Sequence, residues 1–95
     1  MVKQGDIIKL ADTNCLALVI SKDSYNETGH VIACPVIKNK PDATLSLEIK
    51  DGSYALCDNL RRLDLNTRSY HVAYNISMSK MIYVVDMVQS IFDYF

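Results

Sequence analysis

Apolar and polar residues alternate with a period of two along most of this 95-residue chain. The clearest case is TLSLEIK, where every second side chain is apolar, as in a strand with one buried face. Its apolar positions are Leu45, Leu47 and Ile49, opposite Thr44, Ser46, Glu48 and Lys50. The segment SYHVAYNIS alternates in the same way and predicts a second such strand, with Tyr70, Val72, Tyr74 and Ile76 on one face.

Three further segments are more continuously apolar. GDIIKL, LALVIS and HVIACPVI are rich in Ile and Val and predict buried strands. YALCDNLRRLDL predicts two short strands or one bent strand. The turn-forming segments NETG, KNKPDA and KDGS separate these elements, because Asn, Asp, Gly and Pro favour turns.

The period changes to that of a helix near the end of the sequence. From Ser77 or Ser79, either of which is a suitable N-cap, apolar residues recur at helical spacing. These residues are Met81, Val84, Val85, Val88, Ile91, Phe92 and Phe95. The stripe is wide, which indicates contact on more than one side. Short strands followed by one helix predict a small, strongly bent, mainly β barrel capped by that helix.

Composition limits the classes of protein to which the chain can belong. The length predicts a single domain over residues 1–95, and the N-terminal sequence lacks the apolar stretch of a signal peptide, so we expect a cytoplasmic protein. No apolar run is long enough for a membrane span. Three widely spaced cysteines without a C-x-x-C pair predict neither a disulfide framework nor a metal site.

Charge gives nucleic-acid binding no general support. The net charge is −1, whereas proteins that hold phosphates usually carry an excess of positive charge. The net charge does not exclude a local basic patch, and the segment NLRRLDLNTR concentrates Arg61, Arg62 and Arg68.

Four segments, in this order along the chain, resemble the MazF/PemK toxin family. GDIIKL is similar to the family's opening strand, and ALVISKDSYNETGHVIACPV to its second strand, Asn/Asp-rich loop and Pro-containing third strand. LCDNLRRLDL resembles a family segment in which an acidic residue precedes an Arg. The last helix begins after a Ser-rich turn, as in the family.

The resemblance implies an SH3-like barrel with a C-terminal helix, a homodimer, and an antitoxin partner. It also implies a toxin that cuts single-stranded RNA without a metal or other cofactor, using the ribose 2′-hydroxyl as nucleophile. That reaction needs a base, an acid and a cation at the phosphate. The family takes part of this set from an Arg in the first loop and a hydroxyl residue after the third-strand Pro. Here that loop is reduced to ADTN, and Ile37 occupies the hydroxyl position.

Two positions that match the family motif are the predicted catalytic residues. Asp58 matches an acidic position used in acid–base catalysis, and Arg61 matches the Arg that follows it. Each also has a structural interpretation, because Asp58 is suited to a turn and Arg61 to an ion pair with Asp64. Thr13 is a candidate replacement for the missing hydroxyl.

Lys38 is a candidate replacement for the missing cation. Together with Thr13, Arg62 and Arg68 it completes the set of predicted RNA-binding residues. Tyr70 and Tyr74 are interpreted as packing residues rather than as a stacking platform for bases. The SKDSYN segment is interpreted as structural, since its Asp, Ser and Asn side chains can bond to nearby backbone.

Two functions remain open at this point. One is a growth-inhibiting endoribonuclease toxin. The other is a catalytically inactive MazF-like protein-binding module, such as a phage or mobile-element inhibitor, because a fold does not fix a function.

Overall fold

The computed structural model describes residues 1–42 and 45–92. This part of the chain forms seven strands and two helices. In chain order they are β1 (Asp6–Leu10), β2 (Leu16–Val19), α1 (Asp23–Asn26), β3 (His30–Lys38), β4 (Ser46–Lys50), β5 (Ser53–Leu56), β6 (Arg61–Asp64), β7 (Tyr70–Asn75) and α2 (Met78–Gln89). The mainly β fold with a C-terminal helix is confirmed, and YALCDNLRRLDL forms two short strands. Thr44 and Phe95 lie outside the described residues.

The strands form one antiparallel sheet in the order β4-β5-β3-β2-β1-β7, with β6 added to β3. β3 pairs with β2 along one edge, while its other edge pairs first with β6 and then with β5. The two ends of the sheet approach each other, since the Lys50 ammonium lies 4.3 Å from the centre of the Tyr74 ring. The sheet is therefore strongly bent, as the alternation of short strands predicts.

The two faces of the sheet have separate cores. Ile7 and Leu18 belong to the core beneath α2, which we call the helix-covered core, and Ile8 and Val19 belong to the core on the opposite face, the groove-side core. Neighbouring strand residues point to opposite faces. A strand that is buried on both faces has apolar residues at consecutive positions. This explains why GDIIKL and LALVIS are apolar without alternation.

Helix α2 closes the first of these cores. Ser77 caps it, and its hydroxyl accepts a hydrogen bond from the Lys80 backbone N–H at 3.2 Å. Met81, Val84 and Val88 are buried. The predicted stripe was too long, because the helix ends at Gln89 and the two apolar residues that follow, Ile91 and Phe92, are exposed. No helix in the described ranges is long and apolar enough to cross a membrane.

The prediction of one apolar face for β7 was wrong. The register of β7 against β1 shifts, so that Tyr74 lies opposite Ile7 but Val72 lies opposite Ile8. A β-bulge adds one residue and reverses the facing of all those beyond it. Tyr70 consequently packs on the groove-side core and Tyr74 on the helix-covered core, and both are half-buried packing residues.

The SKDSYN segment forms the single turn α1 and is structural, as predicted. Asn26 is 2% exposed, and its side chain accepts a hydrogen bond from the Ser21 hydroxyl and donates to the Ser21 carbonyl at 3.1 Å. The Ser21 hydroxyl also accepts from the Ile32 backbone N–H at 2.9 Å. A buried amide is stable only when it is bonded in this way. The network fixes the path from β2 into β3.

Candidate functional site

A groove of about 330 Å³ opens on the sheet face opposite α2. We call it the arginine groove. It is lined by Leu10, Thr13, Cys15, Leu16, Ala17, Ala33, Pro35, Arg61, Leu63 and Arg68. Its floor is apolar and continuous with the groove-side core, whereas its two charged side chains are both arginines.

Strand β6 supplies one side of the groove. Arg61 lies opposite Ala33 of β3, and Leu63 lies opposite Val31. Because they are two positions apart on a strand, both side chains share one face, and both line the groove. Arg62, opposite Ile32, belongs to the other face and does not line the groove.

The short turn between β1 and β2 supplies the opposite side. Asn14 has a φ of 57°, and its backbone N–H donates to the Leu10 carbonyl at 2.7 Å. Asn tolerates this left-handed conformation better than most residues do. The Leu10 N–H in turn donates to the Cys15 carbonyl at 2.9 Å. The tight turn places Thr13 and Cys15 at the edge of the groove.

Arg68 reaches the groove from the segment between β6 and β7. Its Nη2 donates to both carboxylate oxygens of Asp12, at 3.2 Å to Oδ1 and 3.1 Å to Oδ2. A backbone hydrogen bond from Ala11 N–H to the Ser69 carbonyl at 3.0 Å joins the same two segments. The role of Asp12 was not predicted, because nothing in the local sequence indicates a contact over 56 positions.

The two arginines of the groove differ in their partners. Within residues 1–42 and 45–92, the Arg61 guanidinium makes no hydrogen bond and no ion pair. The proposed ion pair with Asp64 was wrong, because Asp64 lies opposite His30 and its carboxylate is 3.7 Å from the His30 Nε2. None of the described side chains that line the groove is a carboxylate. Arg61 is therefore available to an anionic ligand.

Asp58 is not among the residues that line the groove. It is exposed and follows the buried Cys57, close to Cys34. The hydrogen bond with Cys57 and burial raise the pKa of the Cys34 thiol, and the nearby charges add to the increase. The hydrogen bond from Cys34 lowers the pKa of Cys57, while burial and the Asp58 charge oppose that decrease. Asp58 thus lies beside a pair of buried thiols and outside the arginine groove.

Lys38 also lies away from the groove. It is the last residue of β3, opposite Ser53 of β5, and it is exposed. Of the six predicted site residues, the structure brings together Thr13, Arg61 and Arg68 in the groove. It places the other three, Lys38, Asp58 and Arg62, outside the groove.

The groove has the chemistry of an anion site with an apolar floor. Two guanidinium groups and one hydroxyl are all hydrogen-bond donors, and Arg binds phosphate and carboxylate with paired donors. Cys15, which is exposed, adds a thiol that sequence analysis did not select. Among the described residues, no group of three or more His, Cys, Asp or Glu side chains is arranged to hold a metal ion.

The fold matches several solved structures. The chain aligns with a chain of a MazE–MazF crystal structure from Deinococcus radiodurans at a TM-score of 0.84 and 23% identity, covering 95% of this chain and 94% of that one. An endoribonuclease from Mycobacterial species aligns at 0.79 and 14% identity, covering 94% and 88%. A Mycobacterial endoribonuclease in complex with its cognate antitoxin aligns at 0.80 and 12% identity, covering 95% and 93%. These likenesses establish the fold.

The sequence itself provides a second and independent comparison. No curated protein sequence matches the chain. The sequence pattern of the PemK-like, MazF-like toxins of type II toxin–antitoxin systems matches residues 3–92, nearly the whole length of the chain. The protein therefore belongs to the PemK/MazF-like toxin family.

Proposed function

We propose that the protein is a growth-inhibiting toxin that binds single-stranded RNA in the arginine groove and cleaves it without a metal. The observation that carries the proposal is the meeting of Arg61, Arg68 and Thr13 in one groove. Arginines that neutralise phosphates supply most of the affinity for a nucleic-acid strand. The match to the toxin family and the structural similarity to a Mycobacterial endoribonuclease support the proposed cleavage of RNA. We place this action in the cytoplasm.

The proposed roles follow from the donors that are present. Arg61, which has no partner among the described residues, stabilises the negative charge that develops on the pentacovalent phosphate. Thr13 donates a hydrogen bond to the same phosphate. Asp58 remains the proposed acid–base group, acting on the same phosphodiester from the segment between β5 and β6, three positions before Arg61.

The test is cleavage of a long single-stranded RNA in EDTA. We expect the wild-type protein to cut, and Arg61→Ala and Asp58→Ala to lose about 100-fold or more in rate, as is typical when a transition-state donor or an acid–base group is removed. Arg62→Ala is the matched control, since it removes the same charge from the neighbouring position on the other face of β6. An equal loss in Arg62→Ala would show that net charge, rather than the groove, is responsible.

A second function is favoured by the floor of the groove. Leu10, Ala33 and Leu63 make it largely apolar, and Asp58 lies outside it, as expected for a catalytically inactive protein-binding module. Absence of cutting by a folded sample, in the experiment above, would support this alternative and contradict the enzyme.

We further propose an antitoxin as the protein partner. The similar structures include MazE–MazF and endoribonuclease–antitoxin complexes. An antitoxin segment with acidic side chains for Arg61 and Arg68 and apolar ones for the floor would compete with RNA. If a peptide of this kind does not inhibit RNA binding, the two ligands do not share the groove.

We also propose a homodimer that forms through the outer side of α2. Met78, Ile82 and Tyr83 are 65%, 55% and 67% exposed, and exposed apolar patches mark interaction sites. Ile82→Glu should convert the dimer to a monomer in sedimentation equilibrium. A wild-type protein that sediments as a monomer, or a variant that remains dimeric, would contradict this interface.

A further inference from the structure

The two arginines of the groove are not equivalent, because one already has an anionic partner. The Arg68 Nη2 lies 3.1 and 3.2 Å from the two oxygens of the Asp12 carboxylate. Arg61 has no corresponding partner among the described residues. The groove thus contains one available guanidinium and one that is neutralised by a carboxylate of the same chain.

The position of Asp12 is set by the backbone of the β1–β2 turn. The Ala11 N–H is bonded to the Ser69 carbonyl at 3.0 Å, and the Asn14 N–H to the Leu10 carbonyl at 2.7 Å. Asp12 lies between these two bonds and next to Thr13, which lines the groove. The turn thereby places Asp12 at the side of the groove, within reach of Arg68.

We propose that Asp12 lowers the affinity of the groove for RNA by competing with a phosphate for Arg68. This inference rests on the proposed binding of RNA. A phosphate that takes the Nη2 donor has to displace the carboxylate, and a phosphate that takes the remaining donors of Arg68 still lies near its negative charge. The pair is partly exposed, with side-chain exposures of 28% for Arg68 and 60% for Asp12, so a ligand can reach it.

The competition makes a quantitative prediction about salt. Each phosphate neutralised on a single strand adds about 0.7 to the slope of log K against log salt. If removal of the Asp12 charge makes Arg68 available for one more phosphate, the slope becomes steeper by about that amount. A change in the fold alone would not produce a tighter complex with a steeper slope.

The experiment compares Asp12→Asn with the wild-type protein by fluorescence anisotropy, with a single-stranded 2′-O-methyl RNA that lacks the 2′-hydroxyl nucleophile. We expect about three- to tenfold tighter binding at low salt and the steeper slope, because like charges a few ångströms apart repel substantially near a protein surface. Asp51→Asn is the matched control. It makes the same charge change in the turn between β4 and β5, away from the groove lining.

A second variant links the gain to Arg68. In the Arg68→Ala background, Asp12→Asn should give a smaller gain and no steeper slope, because only the repulsion between Asp12 and a nearby phosphate is then relieved. An equal gain in that background would contradict the competition. The variants should remain folded, since exposed ion pairs contribute only about 0–1 kcal/mol, and circular dichroism checks this. Unchanged or weaker binding by Asp12→Asn, or an equal gain in Asp51→Asn, would overturn the competition while leaving RNA binding intact. Absence of binding by all variants would overturn the RNA proposal together with this inference.

Discussion

The two faces of the sheet are built from the same strands, but a helix covers only one of them. Ile7 and Leu18 point toward the helix-covered core, which α2 closes, while Ile8 and Val19 point toward the groove-side core, which stays open at the arginine groove. One face is therefore closed by a helix, and the other has an apolar floor with two cations. The difference teaches that the candidate site lies on the face of the sheet that no helix covers.

Cysteine reactivity should show the largest difference between the two faces. Cys15 at the groove is exposed, whereas Cys34 and Cys57 in the helix-covered core are 1% and 0% exposed. Hydrogen bonding and burial also raise the pKa of Cys34, which reduces its thiolate fraction. With iodoacetamide and mass spectrometry under native conditions, we expect Cys15 to react about a thousandfold faster or more, because the buried thiols react only after unfolding.

Cys15→Ser is the control for this measurement, and it should remove the rapid phase entirely. Rapid alkylation of a second cysteine would mean that the helix-covered core opens locally. It would contradict the predicted difference in reactivity between the two faces.

Removing side-chain volume beneath α2 should have the next largest effect. Met81 is 2% exposed in the helix-covered core, and Met81→Ala should lower the free energy of unfolding by about 2–5 kcal/mol, because it leaves a closed cavity. Urea denaturation measures the loss. Met81→Leu, which nearly preserves the volume, should cost less than about 1.5 kcal/mol. If both variants unfold at the wild-type urea concentration, α2 does not close the core.

Truncation of an apolar side chain to alanine at the groove should lower the free energy of unfolding by a smaller amount. Leu63 is half-buried and lines the groove, so Leu63→Ala enlarges an open space instead of creating a sealed one. We expect about half the loss of Met81→Ala in the same urea assay, because the side chain already contacts solvent. A loss as large as that of Met81→Ala would mean that the groove-side core contributes equally to stability.

Local patterns were sufficient to predict most elements of the fold. Period-two alternation located the strands, and helical spacing after Ser77 located α2 with its cap. The bulge in β7 was not predictable in this way, because a shift of register against β1 depends on the partner strand. The helical stripe was extended past Gln89 because the apolar spacing continues after the helix has ended.

The site was predictable only in part, because its residues are brought together by tertiary structure. Thr13, Arg61 and Arg68 come together in the groove. The family resemblance selected Arg61 and suggested Thr13 as a replacement hydroxyl, while the basic segment NLRRLDLNTR selected Arg68. The neighbouring residues Arg61 and Arg62 look equivalent in sequence. They point to opposite faces of β6, however, because successive side chains on a strand alternate between its faces. The pairing of Asp12 with Arg68 depends on tertiary structure alone.

The position of α2 in the chain has a consequence for synthesis on the ribosome. Met81, Val84 and Val88 come from the last element of the described chain, yet they close a core whose other members begin at Ile7. A nascent chain that ends before α2 leaves this face of the sheet exposed to water and lacks the burial that stabilises the fold. The groove therefore becomes stable only after α2 has been synthesised, and a product that ends before α2 has no stable groove.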